Sequence, residues 1–223
     1  MPKIIFYPVG NADTCLIALE KKFMLCDYAA KLNPDDPDDR RIDLPEALKD
    51  DINYPLRDTI DVVAFTHLDD DHICGATEFF HLDHAEKYQG DGRVKIDELW
   101  VPAAAIVEEG AEDEARVIRQ EARYRLKEGK GIRVFSRPAH LKEWLESQGL
   151  TLESRLHLIT DAGRLVPGWS KEQDGVEFFL HSPFAERDGD VMLDRNECSL
   201  VFQATFQAGG TQFLMAADTT CDI

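Results

Sequence analysis

Phe65-Thr66-His67-Leu68-Asp69-Asp70-Asp71-His72-Ile73-Cys74-Gly75-Ala76 decides the reading of this chain. It continues Val62-Val63-Ala64-Phe65, an unbroken apolar run of the kind that forms a strand covered on both faces. Residues 67 to 72 hold two histidines and three aspartates. In an extended segment, residues two apart face the same way, so His67 and Asp69 can converge on one point. Asp71 and His72 follow where the chain turns toward a helix, and can converge on a second. Imidazole nitrogens and carboxylate oxygens are both good ligands for divalent transition metals. A helix cap at Asp70 or Asp71 accounts for one aspartate only. His67, Asp69, Asp71 and His72 are therefore candidate metal ligands, with Asp71 also the candidate catalytic carboxylate.

A second strand runs into a carboxylate near the end: Phe213-Leu214-Met215-Ala216-Ala217-Asp218. A two-metal site benefits from a bridging carboxylate on another strand, so Asp218 joins the set. The expectation requires the Asp218 carboxyl to lie within about 10 Å of the 67–72 cluster, since paired ions stand roughly 3.5–4 Å apart.

Outward from these segments the chain reads as an ordinary globular protein. Its 223 residues are 43% hydrophobic and 30% charged, with a net charge of −18. That balance excludes a disordered chain, a fibre and a disulfide-stapled miniprotein, and argues against gripping nucleic acid through a broad basic face. No run of 18 apolar residues occurs, so no membrane segment is expected. Five cysteines with no Cys-x-x-Cys pair, and no secretory signal, suit free thiols in a reducing cytoplasm.

Strands are expected over 4–7, 14–19, 23–27, 60–65 and 96–101, then over 156–160, 176–180, 199–205 and 212–215. Helices are expected over 109–128 and 141–147; the first presents Ala111, Ala115, Ile118, Ala122 and Leu126 as one stripe. Arg116, Arg119, Arg123 and Arg125 are assigned to its solvated face, and His81 and His84 to an exposed helix end. Asn33 to Arg41, rich in aspartate and proline, is a surface loop. The layout suits two sheets packed face to face with helices outside.

His67-x-Asp69-x-Asp71-His72 followed by Gly75 resembles the metal motif of metallo-β-lactamase-fold hydrolases, whose common form has histidine where Asp69 stands. The aspartate form resembles the metallohydrolase domain at the end of competence DNA-uptake channel proteins, and its stand-alone relatives. Tyr7 to Ile17 is similar to the family's opening strand, turn and second strand. Phe23 to Asp27 resembles its third strand, closing on an aspartate that supports the metal loop. Arg195-Asn196-Glu197-Cys198-Ser199-Leu200-Val201 resembles its Asn-Asn-x-Ser-Leu-Val strand, with Glu197 for the second Asn. Ala217-Asp218 resembles the Gly-Asp that supplies the bridging carboxylate.

The resemblance implies an α+β fold, a four-layer αββα sandwich over residues 1–223, truncated at its C-terminus because the family's last histidine has no counterpart. His181 and Asn196 are rival candidates for a further ligand. It implies two divalent ions, zinc or manganese, with Asp69 tilting preference toward manganese. It implies a metal-dependent hydrolase of phosphodiester bonds acting through metal-activated water, with an anionic small molecule or a nucleic acid as substrate and further domains or partner proteins beyond residue 223. The competing expectation is an inactive binding or regulatory module in a larger assembly, favoured by the missing ligands.

Overall fold

The computed structural model describes residues 2–184 and 195–218. Strands β1 (Lys3–Phe6), β2 (Cys15–Ala18) and β3 (Phe23–Cys26) form an antiparallel meander. Strands β4 (Thr59–Ala64), β5 (Lys95–Pro102) and β6 (Ile132–Phe135) add to it in parallel, giving a six-stranded sheet in chain order. Parallel neighbours need crossovers, and these carry the helices. Helix α1 (Leu44–Asp51) lies between β3 and β4, α2 (Asp70–Ile73) and α3 (Ala76–Phe79) between β4 and β5, and α4 (Ala104–Val107) and α5 (Asp113–Glu128) between β5 and β6. Helix α6 (Ala139–Ser147) follows, and the four-residue α7 (Lys171–Asp174) leads into a second sheet. That sheet is antiparallel: β7 (Val176–Ser182), β8 (Val201–Phe206) and β9 (Gln212–Met215).

The period of two along each strand separates two cores. Leu16, Leu25, Val63, Leu99, Val101, Ile132 and Val134 point to the helices. Cys15, Ile17, Met24, Cys26, Val62, Ala64 and Trp100 point the other way, against Phe178, Leu180, Phe202 and Ala204 of the second sheet. Both faces are covered, which explains the continuous apolar run before His67. Trp100 is the hub of the inter-sheet core, with edge-on contacts to Phe135, Trp169, Phe178 and Phe202.

Three layers, helix–sheet–sheet, are present among the described residues. The fourth layer expected outside the second sheet is not seen there. The buried leucine, isoleucine, valine and phenylalanine side chains of α1 to α6 join the first core, and Leu214 on the outward face of β9 is 54% exposed.

Most expected strands form within a residue or two. Residues 156–160 do not: 156–158 close the 3-10 segment Glu153–Leu158, and Ile159 makes a single parallel bridge to Val134 at the edge of β6. Arg155 donates to the carbonyls of Leu126 and Lys127 and ties the 3-10 segment to the end of α5. Helix α5 begins at Asp113, after Gly110 at φ +79°, and closes on Gly129 at φ +77°, whose N–H returns to Arg125. The expected stripe is buried, but the solvated arginine face is not uniform. Arg125 is buried and ion-paired to the fully buried Glu121, and the largely buried His84 ring contacts Glu121 as well. Helix α1 escapes the sequence reading although its start is legible: Asp43 accepts from Glu46 N–H, with proline in the first turn. No helix among the described residues is long and apolar enough to cross a membrane. No disulfide joins the described cysteines 15, 26, 74 and 198; Cys221 lies outside the described residues.

Candidate metal centre

The site sits where β3 and β4 end, at the carboxyl edge of the parallel strands, where open α/β sheets place their ligands. Asp27, one residue past β3, organises it. Its N–H donates to Ala64 O, which holds the two strand ends together. Its Oδ1 accepts from Thr66 N–H and its Oδ2 from the Thr66 hydroxyl, both at 2.7 Å. Oδ2 also lies 2.8 Å from His72 Nδ1. The positive φ of Asp27, 54°, turns the chain so that Tyr28 N–H reaches His72 O. Aspartate tolerates that conformation better than bulky residues do.

With Nδ1 engaged by Asp27, His72 presents Nε2 to Asp218 Oδ2, 3.4 Å away. The His67 ring lies beside it, centroids 4.0 Å apart, with Nδ1 3.2 Å from Thr66 Oγ1. His67 Nε2 is buried with no hydrogen-bond partner. One ligand atom from each of His67, His72 and Asp218 lies within 4.8 Å of the others. An orphaned imidazole nitrogen facing a second imidazole and a carboxylate is a donor set that fits a divalent cation. The two histidines are buried, while the Asp218 side chain is 43% exposed and opens the cluster to solvent.

The electrostatics divide the two histidines. Burial, then the neighbouring His72 charge, pushes His67 down, so it stays neutral and able to ligate. Burial also disfavours the charged form of His72. The Asp27 bond and the charges of Asp27, Asp218 and Asp71 outweigh it and raise His72 to about 9. Partial burial raises Asp13; His72 counters it, and Asp27, Asp218 and Asp71 reinforce it.

The other sequence candidates fall around this cluster. Asp69 occupies the position before α2 without capping it. Its Oδ2 is 3.5 Å from His67 Nε2, and its Oδ1 accepts from Arg195 Nη1 at 2.7 Å. The Asp71 carbonyl accepts from Asp13 N–H, and its carboxylate charge bears on His72 and Asp13. The Asp70 carboxylate is 78% exposed, 3.3 Å from Lys31. His181 lies at the bulge of β7 against the Phe179 ring, and is not among the three converging residues. Asn196 stands in the turn before β8, its carbonyl accepting from Ser199 N–H.

Sequence reasoning misses Asp13 and Arg195 as members of the site. Asp13 carries a weak signal, a carboxylate immediately before the second apolar strand. Arg195 carries none, because its partner Asp69 is 126 residues away.

The two packed sheets, the loop at the end of β4 and the His67, His72 and Asp218 cluster together give a layered α/β fold with a candidate metal site. No family model matches the chain, and no curated protein does. Among solved structures it is similar to a mutant of the CmlA β-hydroxylase, at 16% identity and TM-score 0.44, over 99% of this chain and 31% of that one. It is also similar to a metallo-β-lactamase with a HARLDQ motif from Cronobacter sakazakii, at 13% identity and TM-score 0.38, over 96% of this chain and 58% of that one. The chain thus spans less than two thirds of the length of either.

Proposed function

We propose that the chain is a metal-dependent hydrolase of phosphodiester bonds, with zinc or manganese at the His67, His72 and Asp218 cluster and Asp69 and Asp71 completing a two-ion site. The observation that carries this reading is the convergence of one ligand atom each from His67, His72 and Asp218 within 4.8 Å, beside a His67 Nε2 that is buried without a hydrogen-bond partner. His67, His72 and Asp218 would hold a divalent cation, which would supply a water of lowered pKa, about 7, and a Lewis acid for a phosphoryl oxygen. The chain's own residues do the positioning. Asp27 fixes the His72 ring with Nε2 forward, and Thr66 stands at Nδ1 of His67. Asp218, at the solvent side of the cluster, marks the side from which substrate arrives. Asp71, whose charge falls on His72, is the proposed catalytic carboxylate. Lys31, 3.3 Å from the Asp70 carboxylate, places a cation beside the loop, suited to an anion. The net charge of −18 favours a nucleotide-sized anion over a long duplex.

The test is hydrolysis of bis(p-nitrophenyl) phosphate with added manganese or zinc, beside a direct measurement of bound metal. Metal-dependent turnover that disappears in His67→Ala supports the reading. Bound metal without turnover of diester or nucleotide substrates points to the binding-module alternative. No bound metal at saturating manganese and zinc removes the enzyme and its metal site and supports the binding-module alternative in its metal-free form.

A further inference from the structure

Arg195 makes a set of contacts that the proposed chemistry does not need for binding metal and that a surface arginine would not make. Its Nε and Nη2 both donate to Glu108 Oε1, at 3.0 and 2.6 Å. Its Nη1 donates to Leu68 O at 2.9 Å and to Asp69 Oδ1 at 2.7 Å. Four residues after Arg195 the tie continues, since Ser199 donates to Arg195 O and Leu200 N–H donates to Thr66 O. The segment entering β8 is therefore strapped along residues 66–69, and the guanidinium is the part that reaches a candidate ligand.

We infer that Arg195, braced by Glu108, is a positioning residue that clamps Asp69 by one oxygen and leaves the other as its single ligand atom for a metal. The inference rests on the metal-site reading above. Oδ1 is taken by Nη1, while Oδ2 faces the orphaned His67 Nε2 at 3.5 Å. A free aspartate rotates and can chelate a cation with both oxygens; a pinned one cannot. The planar guanidinium is the only cationic side chain able to span a carboxylate on one edge and a carbonyl with a second carboxylate on the other. Glu108 matters twice. It fixes the plane of the guanidinium, and it balances its charge, so the clamp orients Asp69 without adding a net positive charge beside the site.

That balance gives a clean test. The double variant Arg195→Met with Glu108→Gln removes one positive and one negative charge together and abolishes the clamp. Manganese and zinc affinities are measured by calorimetry on the full chain, with metal-free thermal unfolding as the control for folding and the visible spectrum of the cobalt-loaded protein as a readout of coordination. Groups that orient a ligand typically contribute about 10–100-fold to metal affinity. The expected result is a loss of at least about tenfold, with a changed cobalt spectrum. Wild-type affinity and an unchanged spectrum overturn the clamp while leaving the metal site standing. A wild-type protein that binds none of the three metals overturns the site and the clamp with it. If the double variant does not fold, Arg195→Lys decides. The ammonium is a point donor that cannot span Glu108 and Asp69, so a clear loss of affinity supports the clamp, and wild-type affinity overturns it.

Discussion

His72 Nδ1 and Asp27 Oδ2 meet at 2.8 Å with neither side chain open to solvent. Together with the surrounding carboxylates, this contact raises His72 to about 9. An unfolded histidine titrates near 6.5. A folded pKa above the unfolded value means the native state holds the proton more tightly. Its contribution to stability is complete below about pH 6.5 and is lost as pH rises toward 9. The metal-free protein should therefore lose urea resistance across that interval. Asp27→Asn should flatten the slope and lower stability at pH 6.5 by about 1–3 kcal/mol, since it breaks a buried, charge-assisted bond.

A cation must displace that proton. Metal binding at pH 7 should release about one proton per site, and apparent affinity should rise with pH up to about 9. Calorimetry in buffers of differing ionisation enthalpy reads the proton directly. Binding that is indifferent to pH between 6 and 9 contradicts His72 as a ligand.

His67 offers the opposite contrast. Its Nε2 is already without a hydrogen-bond partner, so replacing the ring with an apolar one removes an unsatisfied buried group. His67→Phe should change the stability of the metal-free protein by no more than about 1 kcal/mol while abolishing metal binding. Chemical denaturation and metal titration on the same preparation check both halves.

Glu121 and Arg125 form a second buried ionic cluster, away from the candidate centre. Glu121 accepts from Arg125 Nε at 2.6 Å and from His84 N–H at 2.9 Å. Burial opposes its charged form, but Arg125 and His84 hold the carboxyl below its usual range. Its contribution is present above about pH 4.5 and disappears as the solution is acidified through the lower folded value. Glu121→Gln leaves a buried guanidinium short of its counter-charge and should cost about 3–5 kcal/mol at neutral pH. Acid titration should show a shallower loss in the variant than in wild type.

Trp100 fills the centre of the inter-sheet core and is fully buried. Trp100→Ala should cost about 3–5 kcal/mol. Because Trp100 on β5 pairs in register with Ala64 at the end of β4, which leads into the metal loop, metal affinity should fall as well, and titration of whatever folded fraction remains measures that second effect.

The order of these elements was readable because each carries a local signal. The run before His67 announces a doubly covered strand, and the spacing of Ala115, Ile118, Ala122 and Leu126 announces α5. The candidate ligands at 67–72 stand out by density alone. Asp218 stands out only beside them, and its carboxylate lies 3.4 Å from His72. Apart from α1 and β6, whose local signals were passed over, what was illegible depends on distant partners. Arg125 reads as one more surface arginine of an acidic helix until Glu121, Asp83 and the carbonyls of Ile96 and Gly131 surround it. Residues 156–160 have strand composition, yet Arg155 anchors them to a helix end. Arg195 has no local pattern that would mark Asp69 as its partner.

The strap from Arg195 to Leu200 has a consequence for how the protein is made. Residues 67 to 72 leave the ribosome long before residues 195 to 218, and neither stretch holds all three converging donors. A nascent chain stalled before β9 should emerge unable to capture metal, however well its first sheet has formed. On the proposed metal-site reading, loading is expected late in biogenesis, after both sheets have docked.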